Sequence, residues 1–396
     1  MSIFLVLTGE QEEENMKRNS QYFLTEINDI PYLLPFGQNL ADFKKSMKIN
    51  ETGVFLWNLL EEEISFDEIL RKAGEFYQAS EDDLLDLKND LSNFLRVLNS
   101  YGMLEETETF PDCWEDTLSL NIGGLHLLFQ GSKGDFSPEF LPFQEEVQVV
   151  TDMTLRVLHY LPQHHINGHL LIRDPELNVM DTGDTYVITF PTSPYIHEAH
   201  LAKDASYANF YCQIAHTPTS QEQLFHGIRL VFLYLAQKHN MAVIHSASIL
   251  YKEKAWLFSG SSGTGKSTHT NLWKEYKKVP LINGDLNLIT IENEVAVVHG
   301  LPWCGTSKIS DTKSYPLGGI VLLRKSLDNH IETLTPDSKT LLISQRFISP
   351  AWTVPQLQAN LSVAKAISEK VLITKLHCTK EKEAVETIKS EFDSQN

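Results

Sequence analysis

The residues best suited to chemistry lie in one stretch, Gly260-Ser261-Ser262-Gly263-Thr264-Gly265-Lys266-Ser267, followed by Thr268. It fits the pattern G-x4-G-K-[ST]. Glycines let a backbone turn tightly and aim its N–H groups at phosphate oxygens. The helix expected to start at Lys266 adds the partial positive charge of its N-terminus. In that geometry Lys266 reaches the β and γ phosphates and the Ser267 hydroxyl ligates Mg2+. The apolar run "AWLFS" just before it reads as the strand that feeds such a loop. A plain Gly/Ser surface turn is the alternative. Contacts to a nucleotide are therefore expected from the whole run, Gly260 to Thr268.

A phosphate holder needs partners to become a transfer site. In "VPLINGDLNLI" an apolar strand is expected to end at Asp285. A carboxylate there can ligate Mg2+ or take the proton of an incoming hydroxyl. A simple Asn-Gly-Asp turn is the competing reading. Upstream, "VIHSASI" puts His245 in a strand that the turn "YKEK" pairs with the strand before the loop. From there His245 can hydrogen-bond Asp285 and tune its basicity, or it is a satisfied core histidine.

Other candidates carry less. "HYLPQHHINGH" holds His159, His164, His165 and His169, but no Cys or carboxylate stands at metal-ligand spacing. Lys308 follows the small-residue stretch "CGTS" and is the preferred extra contact to phosphate or acceptor, ahead of Arg324 and Arg346. Cys304 reads as a small packed residue.

Several elements must position these residues. "QYFLTEI" and "PYLLPFG" read as two strands joined by an Asn28-Asp29 turn, with a third strand around Phe43 to Ile49. A first helix follows from Asn50 or Glu51. Ser65 opens a second, with Glu68 three residues on as a capping box. Ser80 caps a third, whose stripe is Leu84, Leu87, Leu91, Phe94 and Leu98 and which Gly102 ends. A polar linker, 107–117, leads to a β-rich part, 118–218. A nucleotide-binding core, 219–396, follows. There the apolar "LGGIVLLRK" reads as a buried central strand.

The 396 residues, 42% of them hydrophobic, suffice for two or three domains. The net charge of −19 argues against nucleic acid as a partner. Residues 1–110 concentrate the acidity, with 22 Asp/Glu against 9 Lys/Arg. That is a solvated surface, or one that prefers a neutral or basic peptide. No apolar run is long enough to span a bilayer, and Ile3 to Leu7 is too short for a secretory signal. A cytoplasmic location without membrane contact is expected. Cys113, Cys212, Cys304 and Cys378 are far apart and read as reduced thiols. "MKRNSQYFL" at Met16 looks like a natural beginning, so residues 1–19 are expected to be disordered or a start-site extension.

Taken together, His245-Ser246-Ala247, "LFSGSSGTGKST", Asp285 and "GLPWCGTSK" (Gly300 to Lys308) resemble HPr kinase/phosphorylase and its relatives, over roughly residues 118–390. These share a core with phosphoenolpyruvate carboxykinases. The resemblance implies an α/β fold with a mixed sheet around a P-loop, and phosphotransfer with ATP and Mg2+. It places Asp285, His245 and Lys266 in catalysis, Ser267 and Asp285 on the metal, and Lys308 on substrate or phosphate. One position departs: those kinases carry two adjacent Asp where this chain has Gly284-Asp285. Whether Asp285 is base, metal ligand or both is thereby left open. The HPr-binding C-terminal signature is not evident, so HPr is not the expected substrate.

"INETGVFLW" and "FLRVLNSYGML" resemble PqqD-like peptide-recognition domains, implying a small winged-helix-like α+β domain over 20–106. In that family a leader peptide adds a strand to the sheet edge and packs on the last helix. Here those would be Phe43–Ile49 and Leu84–Leu98. A winged helix used only for packing or dimerisation is the alternative. The two resemblances together imply an ATP-dependent kinase of a Ser/Thr hydroxyl on a ribosomally synthesised precursor peptide. A nucleotide-gated peptide-binding adaptor and a kinase of a small hydroxy compound are the rival readings. Acceptor, nucleotide base and oligomeric state, a homo-oligomer included, are not legible at this level.

Overall fold

In a computed structural model, residues 15–41, 44–80, 83–105, 114, 116–146, 150–159, 162, 168–213 and 217–394 are described. Phe43, Pro111, Cys113, His164, His165 and most of the expected linker lie outside them.

The first unit is built around a hairpin. After β1 (Asn15–Met16), strands β2 (Tyr22–Ile27) and β3 (Ile30–Pro35) pair antiparallel. Asn28 and Asp29 turn the chain with positive φ, a conformation their short polar side chains tolerate. A short helix α1 (Gln38–Ala41) leads to β4 (Met47–Lys48), which joins the far edge of β3. The third strand is thus shorter than its expected span. Helix α2 (Glu51–Leu59) starts where the Asn50 side chain accepts from the Gly53 N–H. Strand β5 (Ile64–Ser65) pairs with β1, and Ser65 caps α3 (Phe66–Tyr77) by accepting from the Glu68 N–H.

Helix α4 (Leu84–Ser100) begins later than expected. Ser80 does not cap it directly; its hydroxyl donates to the Asp83 carboxylate. The buried stripe is Leu91, Leu95 and Leu98, while Leu84 is exposed. The helix ends at Gly102, with φ of 69°. Leu33, Trp57, Leu60 and Leu98 form the centre of this unit's core. Residues 15–19 belong to it as well. Met16 is buried, the Arg18 N–H donates to the Leu60 carbonyl, and the Asn19 N–H donates to that of Met103. The packed unit therefore starts before residue 20.

The second unit is an eight-stranded sheet. Its strands are β6 (Asp116–Ile122), β7 (Leu125–Gly131), β8 (Met153–Leu158), β9 (His169–Arg173), β10 (Asn178–Asp181), β11 (Thr185–Thr189), β12 (Ile196–Ala202) and β13 (Tyr207–Cys212). The spatial order is β6-β7-β8-β13-β12-β11-β10-β9. Gly123 and Gly124, both at positive φ, make the first hairpin turn. One sheet face packs on α5 (Pro218–Lys238), capped by Thr217, through a large apolar cluster including Phe129, Phe140, Phe210, Phe232 and Trp303.

The third unit contains β14 (Ala242–Tyr251), β15 (Lys254–Ser259), α6 (Lys266–Lys277), β16 (Leu286–Glu292), β17 (Val295–His299), β18 (Ser314–Lys325), β19 (His330–Glu332), α7 (Pro336–Ser344), α8 (Val354–Lys370), β20 (Leu372–Cys378) and α9 (Lys382–Ser394). Strand β15 pairs antiparallel with β14 and parallel with β18. The twelve-residue β18 also pairs with β17 and β20, so the sheet turns back on itself around the strand that feeds the loop. The molecule is thus a mixed α/β structure with two large sheets, and β18 is interior, as its apolar run implies.

An aromatic stack ties α9 to the loop's neighbours. Phe392 lies 3.6 Å from the Trp256 ring of β15 and 5.2 Å from the Trp273 ring of α6, nearly parallel to both. Phe392→Ala is expected to lower unfolding stability by about 3–5 kcal/mol, read from urea denaturation.

His197 of β12 is buried, and burial first, then the Arg96 charge from α4, push it down to about 4, against the pull of Glu198. The folded protein keeps this ring neutral while the unfolded chain protonates it in the ordinary histidine range. Stability is therefore expected to fall as pH drops from the ordinary histidine range of about 6.5 toward 4. Urea midpoints across that window should fall more shallowly in His197→Gln.

Candidate functional site

Strand β15 is flanked by β14 and β18, so its end is held on both sides, and the chain leaves it through Gly260–Gly265 into α6. The turn is tight. A Cβ on Gly260 would stand 2.5 Å from Thr264 Oγ1, and Gly263 and Gly265 have φ of 73° and 104°. The Thr264 hydroxyl donates to the Ser261 carbonyl at 2.7 Å, and Lys266 Nζ donates to the Gly260 carbonyl at 3.3 Å. Ser261, Ser262, Gly263, Ser267 and Thr268 are exposed, while Lys266 is half-buried. The N-terminal amides of the twelve-residue α6 face the same loop, a setting that favours an anion.

His245 and Asp285 meet beside this loop. Strand β14 pairs with β15 on one edge, Ser246 opposite Ser259, and with β16 on the other, His245 opposite Leu286. His245 Nε2 lies 3.1 Å from Asp285 Oδ1. The hydrogen bond from His245 holds the Asp285 carboxyl below its ordinary range. Burial opposes this, and the charges of His245, Arg229 and Lys266 assist. Burial also lowers Lys266, which Asp285 counters and Arg346 reinforces. His245, Lys266 and Arg229 thus act on one carboxylate, and Arg346 acts on Lys266.

Asp285 does not end a strand; it precedes β16. The reason is the Asn283 side chain, whose Oδ1 accepts from the N–H groups of Asp285 and Leu286 and bends the chain. Asn283 is itself anchored by Ser248 and by the Leu301 carbonyl, and Asn287 spans Ser246 and Ser248. All four are buried polar residues. Sequence reading passed over this network and over Arg229; the small polar residues alternating in "HSAS" were the available signal.

The glycine at 284 has a steric cause. A Cβ there would lie 2.1 Å from Ser307 Oγ. Ser307 belongs to the 300–308 loop, and its hydroxyl donates to the Cys304 carbonyl at 2.7 Å. The loop is pinned by Trp303, buried among Phe140, Phe225 and Phe232, with its indole N–H donating to the Phe225 carbonyl at 2.9 Å. A side chain at 284 would require Ser307 to move.

Arg324 and Lys308 border the site: a Cβ on Gly260 would stand 3.2 Å from the Leu323 carbonyl, and Lys308 follows Ser307. Lys308 is exposed, at φ of 52°, and Arg324 is exposed on β18. Burial raises the Cys304 thiol, which disfavours a reactive thiolate. His159 sits between Asp135 and the Gln213 carbonyl, and His169 lies on the edge strand β9. Among the described residues no group of three or more His, Cys, Asp or Glu could hold a metal ion. In the first unit, β4 pairs with β3 through Met47 and Lys48 at the end of the three-strand order.

Gly284→Asp is expected to lower the unfolding midpoint, because the side chain must displace Ser307. Gly284→Asp with Ser307→Gly should recover part of the loss, which differential scanning calorimetry measures.

Residues 40–104 match the family model described as Coenzyme PQQ synthesis protein D (PqqD). Among curated proteins none matches. Among solved structures the chain is similar to the Hpr(Ser) kinase/phosphatase from Coxiella burnetii, at 12% identity over 23% of this chain and 70% of that one, with a TM-score of 0.18. That likeness is too slight to bear on the site.

Proposed function

We propose that this protein is an ATP- and Mg2+-dependent kinase that phosphorylates a Ser or Thr hydroxyl of a ribosomally made precursor peptide, with the peptide's leader held by the first unit. The observation that carries the reading is the His245–Asp285 contact set beside the glycine-rich loop and Lys266. For the peptide, support comes from the PqqD match over 40–104.

The chemistry follows from the charges. The loop amides and Lys266 take the β and γ phosphates of ATP. Asp285, hydrogen-bonded to His245, accepts the proton of the acceptor hydroxyl as its oxygen bonds to the γ phosphorus. The bond from that phosphorus to the β–γ bridging oxygen breaks, and its electron pair leaves with ADP. A carboxyl held below its ordinary range is fully ionised at neutral pH and so available as a proton acceptor. The Ser267 hydroxyl, exposed at the start of α6, would hold Mg2+, an oxygen ligand of the kind that ion prefers. The metal would neutralise charge on the β and γ oxygens. With glycine at 284 where a second carboxylate would stand, Asp285 is assigned to the proton and Ser267 to the metal.

The absent second carboxylate also favours one rival, a peptide-binding adaptor gated by nucleotide. Incubating the protein with Mg-ATP and a precursor peptide encoded beside it separates the two. Transfer adds about 80 Da to the peptide in mass spectrometry. Lys266→Ala and Asp285→Asn should each abolish that gain while peptide binding persists. Near-normal turnover in Asp285→Asn would overturn the mechanism.

A further inference from the structure

Arg229 has no place in the roles given so far. It lies on α5, one turn beyond Phe225, whose carbonyl takes the Trp303 indole N–H and whose ring packs on Trp303 and Phe140. Trp303 belongs to the loop that seats Ser307 on Gly284. Helix α5, this loop and the Asp285 turn are therefore clamped together, and Arg229 is presented to Asp285 by a rigid frame.

Arg229 is half-buried, yet among the described residues its guanidinium has no carboxylate in ion-pair distance and no hydrogen bond. Burying a guanidinium without a partner is costly, so such a group calls for an anion. Asp285 acts on Arg229 through its charge but is not in ion-pair contact with it. Its carboxylate is engaged by His245, and Lys266 also draws on it. The placement has a side: the glycine-rich loop leaves β15 on one edge of β14, Asp285 leads into β16 on the other, and a Cβ on Gly305 of the 300–308 loop would stand 3.0 Å from Asp285 Cβ. Arg229, on the helix that holds this loop through Trp303, thus lies on the 300–308 side of Asp285, away from the β15 edge, where the acceptor hydroxyl would approach.

We propose that Arg229 is the acceptor-side contact of the phosphoryl group, holding its oxygens as the acceptor bond forms and afterwards on the product. This rests on the kinase reading of the site. A planar guanidinium offers two parallel N–H donors to phosphoryl oxygens, which suits a group in flight between two oxygens. The bonds made and broken are those of the transfer above, and Arg229 exchanges no proton.

The test uses the full chain and no peptide. Binding of Mg-ADP is measured by calorimetry with and without aluminium fluoride, which mimics the phosphoryl group between donor and acceptor. Wild type should bind ADP at least about ten-fold tighter with the fluoride. Arg229→Gln should lose that gain while ADP alone stays within about two-fold, which also reports intact folding. Arg229→Lys should recover little, because a point charge does not replace the fork. A full fluoride gain in Arg229→Gln overturns the proposal, as does its absence in wild type. If neither protein binds ADP, the kinase reading falls with it. If the gain depends on Arg229 but no peptide is phosphorylated, the proposal stands and the peptide acceptor is wrong.

Discussion

The site depends on the pairing of β14 with two partners at once. Its hydrogen bonds to β15 on one edge fix where the glycine-rich loop begins. Those to β16 on the other fix where Asp285 emerges. His245 sits in the strand between, so one ladder brings a histidine, a glycine-rich loop and a carboxylate together. Backbone ladders are stiff, because a register slip of one residue would turn every side chain to the other face. The 3.1 Å contact between His245 and Asp285 is a consequence of register, with little demand on loop flexibility.

Around this ladder, buried polar groups replace what apolar packing cannot do. Asn283, Asn287, Ser246 and Ser248 satisfy one another and the irregular backbone at 282–285. A buried turn without such partners would leave amides unpaired at appreciable cost. On the far side, Trp303 inserts into the aromatic cluster of the second unit and carries Ser307 onto Gly284. The eight-stranded sheet thereby acts on the site: its core positions the loop that decides how many acids the site holds.

The first unit differs in kind. Its exposed acidity and short β4 edge suit a segment that arrives from elsewhere, and its contact with the rest includes Arg96, whose charge acts on His197 and Glu198 of β12. Burial of charge at that seam requires close fit, since charges removed from water are stable only when compensated.

Local signals were legible wherever a residue's role depends on its chain neighbours. The Gly260–Ser267 pattern, the Asn28-Asp29 and Gly123-Gly124 turns, the Ser65 cap and the Gly102 stop are short-range chemistry, and each appears where the sequence places it. The interior position of β18 follows from composition alone. By contrast, Ser80 and Leu84 misled, because an acidic first turn can start at more than one residue and only packing selects the buried stripe. Asp285 moved from strand end to strand start because the Asn283 side chain captured the backbone. Arg229, which has no ion-pair or hydrogen-bond partner among the described residues, and the Ser307–Gly284 contact depend on segments far apart in the chain, and no local pattern encodes them. Sequence by itself determined a glycine-rich loop between strand and helix, its neighbouring His and Asp, and a separate helical unit in front. Tertiary structure decided which charges converge and why a side chain at 284 would collide with Ser307, because those depend on close approach between elements that only the folded sheet brings together.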